Sequence, residues 1–184
     1  MRRRDRIRHL ANWLNLSTPV GLLVAGAGGA RVRRRPDGIF VAEGYRFAFP
    51  VAGAFTIGDV VTTASTMDRL EARVPGVYAH EVRHAWQFAA TGVWFLPAYL
   101  VASAWSLART GSPALRNPLE RHAGLVTGGY AHADGAPIGA IWMFRGSPGL
   151  TGVRLARPVR RPRRPTAGGP NGAAGGSRAG GGGA

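Results

Sequence analysis

Residues 80–84, His-Glu-Val-Arg-His, are the segment of this chain whose residue types and spacing suit chemistry. Two histidines four residues apart project from one face of a helix about one turn apart, so their ring nitrogens can converge on a single ion. Glu81 directly follows the first of them. A carboxylate there can lie beside the ion without ligating it and take a proton from an attacking water. With five His and nine acidic residues in 184 positions, chance placement would seldom yield this pentapeptide in a segment that also reads as helix. The competing explanation is a helix on which two histidines merely pack or cap.

A catalytic zinc takes three protein ligands, and a chain without cysteine must supply all of them from His, Asp or Glu. The downstream candidates are Glu120, His122, His132 and Asp134. Asn117-Pro118-Leu119-Glu120 also has the form of a capping box, which gives Glu120 a purely structural explanation. His122 points to a different side of that helix from Glu120, so the pair should not ligate together. His132 and Asp134 lie in a Gly-rich segment able to fold over the site. Tyr130 or His132 could donate a hydrogen bond to an oxyanion, although packing or solvent exposure is the plainer explanation of both. Gln87 shares the motif face and could hold a ligand's second ring nitrogen. A polar surface position competes for it.

Taken together, His80-Glu81-Val82-Arg83-His84-Ala85-Trp86-Gln87, then Phe95-Leu96-Pro97, then Asn117-Pro118-Leu119-Glu120-Arg121-His122-Ala123 resemble a family of uncharacterised bacterial zincin-like proteins with an HExxH helix and a later Glu-bearing helix. Those in turn are similar to gluzincins. The resemblance covers about residues 15–130. It implies that His80, His84 and Glu120 ligate one Zn2+ and that Glu81 is the catalytic base for a water at the metal. The resemblance carries a site and not a substrate, and the function expected of such a site is metallopeptidase-like hydrolysis of a peptide or similar amide. The 36 positions from His84 to Glu120 exceed the step in compact gluzincins. Metzincins are disfavoured, because Ala85-Trp86-Gln87-Phe88 lacks the glycine and third histidine of their longer motif.

Several elements must position these residues. Residues 67–90 read as helical, with Pro75-Gly76 as a break between two helices and Gly92 as the end of the motif helix. Upstream, Ile39-Phe40-Val41-Ala42 and Tyr45-Arg46-Phe47-Ala48-Phe49 flank Glu43-Gly44 and predict a β-hairpin. Residues 55–63 predict a third strand with a bend or bulge at Gly58-Asp59. A further helix is expected from Asn117-Pro118 to about Val126, before Gly128-Gly129. The expected class is α+β: a small antiparallel sheet, a helical core bearing the motif, and a disordered basic tail.

The ends are different in kind. Residues 1–35 carry nine Arg against one Asp, and residues 151–184 carry seven Arg and no acid. The middle is neutral, with eight Arg against eight acids. Residues 1–16 predict a basic amphipathic helix in which Ile7, Leu10, Trp13 and Leu14 recur at helical spacing, suited to docking on the domain or lying on an anionic membrane surface. Asn12, Asn15, Ser17, Thr18 and Pro19 interrupt the apolar run that a secretory signal would need, so a cytoplasmic or peripherally membrane-associated location is favoured over secretion. Ser17-Thr18-Pro19 should start a second short apolar helix over residues 20–27.

Residues 17–150 form the expected zincin-like domain. Residues 151–184 have a composition too poor in apolar surface to offset ordering entropy. Their arginines lack interleaved aromatics, so no specific nucleic-acid partner is expected. Residues 85–108 carry no charge over 24 positions. Thr91-Gly92 and Pro97 interrupt them, which leaves a membrane span, a surface-seated element and a buried helix-loop-helix all open. That stretch motivates the alternative of a non-enzymatic, membrane-associated protein whose metal site is structural or vestigial.

Overall fold

The computed structural model describes residues 1–48, 53–132 and 134–137. The motif lies on α4 (Val77–Thr91), which begins after Gly76 at φ 89° and ends at Gly92 at φ 59°. Both are left-handed angles that a side chain would strain. Glu71 on the preceding α3 (Met67–Arg73) accepts from the backbone N–H of Gly76 at 2.7 Å and of Tyr78 at 3.0 Å. It thereby satisfies amides that the first turn leaves without partners. Val77, His80, Glu81, His84, Ala85 and Phe88 are buried at steps of three and four, so one stripe of α4 faces inward.

The chain is α+β, with a mixed four-stranded sheet in the order β1-β2-β4-β3. β1 (Arg31–Arg34) and β2 (Phe40–Glu43) pair antiparallel, with Arg31 opposite Glu43. β2 and β4 (Val60–Thr63) pair parallel, with Phe40 beside Val60. β3 (Phe55–Ile57) pairs antiparallel with β4 and forms one edge. The opposite edge, β1, is an exposed run of Arg-Val-Arg-Arg, and its charges discourage pairing with another chain. Ile39, Val41 and Val61 pack with Met67 and Leu70 of α3 and with Val77 and Ala85 of α4. Ala42 and Val60, one residue out of phase, pack with Ala25 of α2 (Ser17–Ala27). This is the alternation that a strand buried on both faces imposes.

Three expectations about the sheet need correction. It is mixed and not antiparallel. The strand before β2 is its hairpin partner, whereas residues 45–48 form no strand and Phe49 lies outside the described residues. Beyond β2 the backbone N–H groups of Gly44, Tyr45 and Arg46 donate to Ser65, Thr63 and Gly28. Tyr45 turns its ring into a buried cluster 5.2 Å from Phe55, so tertiary packing overrides local strand preference. Residues 55–63 are a hairpin of two strands and not one bent strand. Gly58, at φ 60°, makes the turn, and a methyl group there would fall 2.4 Å from the backbone nitrogen of Thr18.

α1 (Arg3–Leu14) forms as expected but is docked the opposite way round. Its buried residues are Asp5, Arg8 and Asn12, whereas Ile7, Leu10, Trp13 and Leu14 are exposed. The reason lies at Asp59 in the β3–β4 turn, which is fully buried. Its carboxylate accepts from Arg8 Nε at 2.8 Å and Asn12 Nδ2 at 2.9 Å, and His9 Nδ1 lies at 2.7 Å. Asn12 also donates to the Ala85 carbonyl of α4 at 2.9 Å. A buried carboxylate with these partners outweighs the pull of the apolar stripe.

After α4 a 3-10 turn (Gly92–Trp94) leads into α5 (Phe95–Thr110), which buries only Phe95 and Ser106. α6 (Pro118–Ala123) starts at an Asn117 N-cap whose side chain accepts from the Leu119 N–H. It stops at Ala123, short of the expected Val126, because Gly124 takes φ 101°. Residues 151–184, the expected disordered tail, lie outside the described residues.

Candidate metal centre

Three buried side chains from two elements meet at one point. His80 and His84 come from the inner stripe of α4 and Glu120 from the first turn of α6, and all are nearly inaccessible to solvent. The two Nε2 atoms lie 3.1 Å apart. Glu120 Oε2 lies 3.2 Å from the first and 3.6 Å from the second.

What those atoms carry follows from the opposite side of each ring. His80 Nδ1 is 3.0 Å from the Gly124 carbonyl oxygen, which can only accept. His84 Nδ1 is 2.7 Å from Gln87 Oε1. The amide orientation is fixed because Gln87 Nε2 donates to the Leu119 carbonyl at 3.0 Å. Both Nδ1 atoms therefore hold the ring proton, and in the neutral imidazoles both Nε2 atoms present lone pairs. Glu120 Oε2 is buried and has no hydrogen-bond partner. Three acceptors facing one another without a donor repel, and a cation at their centre removes the repulsion. Tetrahedral bonds of about 2.0–2.1 Å would separate such ligands by about 3.3 Å, close to the three distances found. The group could hold a metal ion.

Without a metal, protons take that place. Burial alone would raise the Glu120 carboxyl, but hydrogen bonds to His80 and His84 outweigh it and hold the group down to about 2. For His84 burial disfavours the cation, yet Glu120, Glu81 and Gln87 together raise it above its ordinary value. A pocket that attracts positive charge this strongly in its metal-free form is the electrostatic counterpart of a cation site.

The surrounding residues fix the ligands. Tyr99 of α5 donates its hydroxyl to Glu120 Oε1, and burial first, then the Glu120 charge, raises its phenol far out of the physiological range. Arg83, on the outer side of α4, donates to the Ala123 carbonyl and clamps the end of α6. Asn117, besides capping α6, donates to Ser103 of α5 at 3.0 Å. The capping reading of residues 117–120 is thus half realised: Asn117 caps, while the Glu120 carboxylate goes to Tyr99 and the histidines and not back to the cap.

Glu81 is buried next to the ligand pair, and its Oε2 accepts from the Thr56 hydroxyl of edge strand β3 at 2.7 Å. Its charge is felt by His84, Tyr99 and Tyr130. Tyr130 packs its ring 6.0 Å from that of His80. A methyl group at Gly128 would strike both rings, at 2.6 and 2.8 Å, so this close approach needs glycine. Burial raises the Tyr130 phenol well above the ordinary range, with Glu120, Tyr99 and Glu81 adding to it.

His132 and Asp134 are exposed, in a turn closed by the His132 N–H donating to the Ala136 carbonyl. They are not brought to the ligands. His122 is exposed and accepts from Gln87 Nε2 at 3.1 Å, so it supports the site from outside.

Sequence reasoning missed Thr56, Tyr99 and the Gly124 carbonyl as participants. No spacing rule points to them, because each reaches the site from a different element. Comparisons with known protein families, with curated proteins and with solved structures find no match to this chain.

Proposed function

We propose that the chain is a zinc-dependent hydrolase of the gluzincin-like kind, acting on peptides or similar amides. The observation that carries this reading is the meeting of His80 Nε2, His84 Nε2 and Glu120 Oε2, three atoms able to ligate a cation, beside a buried Glu81. Nitrogen and carboxylate donors without thiolate, at tetrahedral separations, suit zinc. When bound, the ion would polarise a substrate carbonyl and make water a stronger acid.

The protein's own part falls to five residues. Glu81, oriented by Thr56, accepts the proton of the attacking water and returns it to the leaving amine. Tyr130, whose phenol stays protonated at neutral pH, donates a hydrogen bond to oxygen that becomes negative in the transition state. Gln87 and Tyr99 keep His84 and Glu120 in their bonding orientations.

Zinc content and turnover test the two halves separately. Purified protein should carry about one equivalent of zinc, and the His80→Ala/His84→Ala variant should lose it. Glu81→Gln should keep the zinc and abolish cleavage of a fluorogenic peptide library. Wild-type protein that binds no zinc at submicromolar levels would sink the metal centre. Zinc-loaded wild type as inert as Glu81→Gln would favour the alternative, a non-enzymatic protein with a structural metal, which the exposed apolar surface of α5 keeps in view.

A further inference from the structure

We propose that the outward faces of α1 and α5 form a seat on an anionic lipid bilayer, independently of what the metal centre does. Both helices are inverted relative to an ordinary surface helix. On α1 the inward stripe is Asp5, Arg8 and Asn12, and the stripe half a turn away is Arg3, Ile7, Leu10 and Leu14. Ile7, Leu10 and Leu14 are 58%, 60% and 74% exposed. On α5 the buried Phe95 and Ser106 face in, and Leu100 and Val101 are exposed, as are Trp94 just before it and Trp105 within it. Trp94 and Trp105 border an open apolar trough of about 700 Å³ that also takes in Ala98, Val101 and Pro118.

The two faces meet. Asn15, at the end of α1, donates to the Phe88 carbonyl at 3.0 Å, and a methyl group at Gly92 would sit 3.3 Å from its Cβ. Leu14 and Leu16, which flank Asn15 in the chain, and Val93 and Trp94, which follow Gly92, are all exposed. Leu16 is held there at φ 63°, the one non-glycine residue with positive φ among those described. That conformation costs about 1 kcal/mol or more, and here it presents an exposed leucine.

Charge and aromatic placement select the occupant. Arg2, Arg3, Arg4 and Arg6 are exposed on the first turns of α1, next to its apolar stripe, and Arg109 is exposed at the end of α5. Basic groups bordering an apolar face that carries tryptophans match the headgroup and acyl boundary of a bilayer containing acidic lipids. A second protein chain would not need that ring of arginine. The continuous helical stretch Val77–Thr110 is long and apolar enough to span a membrane by composition. Its first half, however, holds the buried His80, Glu81 and His84, and α5 alone, at about 24 Å, falls short of a bilayer core of about 30 Å. The helices lie on the surface.

Full-length protein mixed with vesicles of phosphatidylcholine, with or without phosphatidylglycerol, tests the seat by co-sedimentation. The anionic vesicles should pellet the wild type, and Val101→Glu/Trp105→Glu should weaken binding by about tenfold or more. Far-UV circular dichroism and zinc content of that variant should match wild type. In the wild type, acyl-brominated lipid should quench tryptophan fluorescence, and most of that quenching should vanish in the conservative Trp94→Phe/Trp105→Phe variant. Binding that is untouched by the apolar substitutions and abolished by salt alone would assign it to arginine charge without the apolar faces and overturn the proposal. So would an absence of vesicle binding, including the case in which ultracentrifugation shows two copies covering each other's apolar faces.

Discussion

Tyr99 and Gln87 each hold a ligand by its outer atom, and this sets how the centre should fail. Tyr99→Phe removes the one hydroxyl that, among the described residues, donates to Glu120 Oε1, leaving the carboxylate free to turn. Zinc affinity, read by competition with a chelating dye, should fall about 10–100-fold with the fold intact; unchanged affinity would deny Tyr99 this role. The acid-base behaviour of the metal-free pocket has two opposing edges. Glu120, lowered from 4.5 to about 2, contributes stability that is complete above pH 4.5 and is lost as pH falls toward 2. His84, raised above 6.5, contributes stability that is complete below pH 6.5 and is lost as pH rises through its folded value. The melting temperature of chelator-treated protein should therefore carry a contribution from this pocket that peaks between those limits. With zinc present that pattern should disappear above pH 6.5, since deprotonated imidazole is the form that ligates. His80, His84 and Glu81 were legible because their spacing is local. Tyr99 and Thr56 were not, since only the fold brings them near.

At the scale of elements, the ends of α3 and α4 could be read from Pro75-Gly76 and Gly92, where backbone chemistry leaves few alternatives. The start of α6 was equally plain from Asn117-Pro118. The docking of α1 was not. Hydrophobic periodicity found the helix but assigned the wrong face inward, because the partner that decides the matter, Asp59, lies about fifty residues away in a hairpin turn. The parallel pairing of β2 with β4 is hidden in the same way, since it depends on where Tyr45 leaves the sheet. Asp59→Ala would take from the buried Arg8 guanidinium its close counter-charge at 2.8 Å and leave only Asp5 at 3.7 Å. Urea denaturation should show a loss of about 3–5 kcal/mol. Adding Arg8→Met should recover a large part of it, because an apolar pair of similar size avoids the desolvation cost. Failure of that rescue would mean that Asp59 matters chiefly for the hairpin turn and not for seating α1.

For the molecule as a whole, the class, α+β, was legible from the order of strand-like and helix-like segments, and the mixed sheet was not. The candidate ligands sit on α4 and α6, and the 36-residue step from His84 to Glu120 includes all of α5. An ion bridging them would be a removable cross-link that closes this loop. Opening such a loop releases chain entropy, so the segment between the ligands should be the first to loosen when the ion leaves. Amide hydrogen exchange, followed by mass spectrometry with and without chelator, should show faster exchange in residues 95–123 and little change in β2 and β4. Uniform acceleration would show instead that the ion holds the entire domain. Such a cross-link would give the chain a clock as well as a site: the lifetime of α5 in its folded position would be tied to the off-rate of one ion.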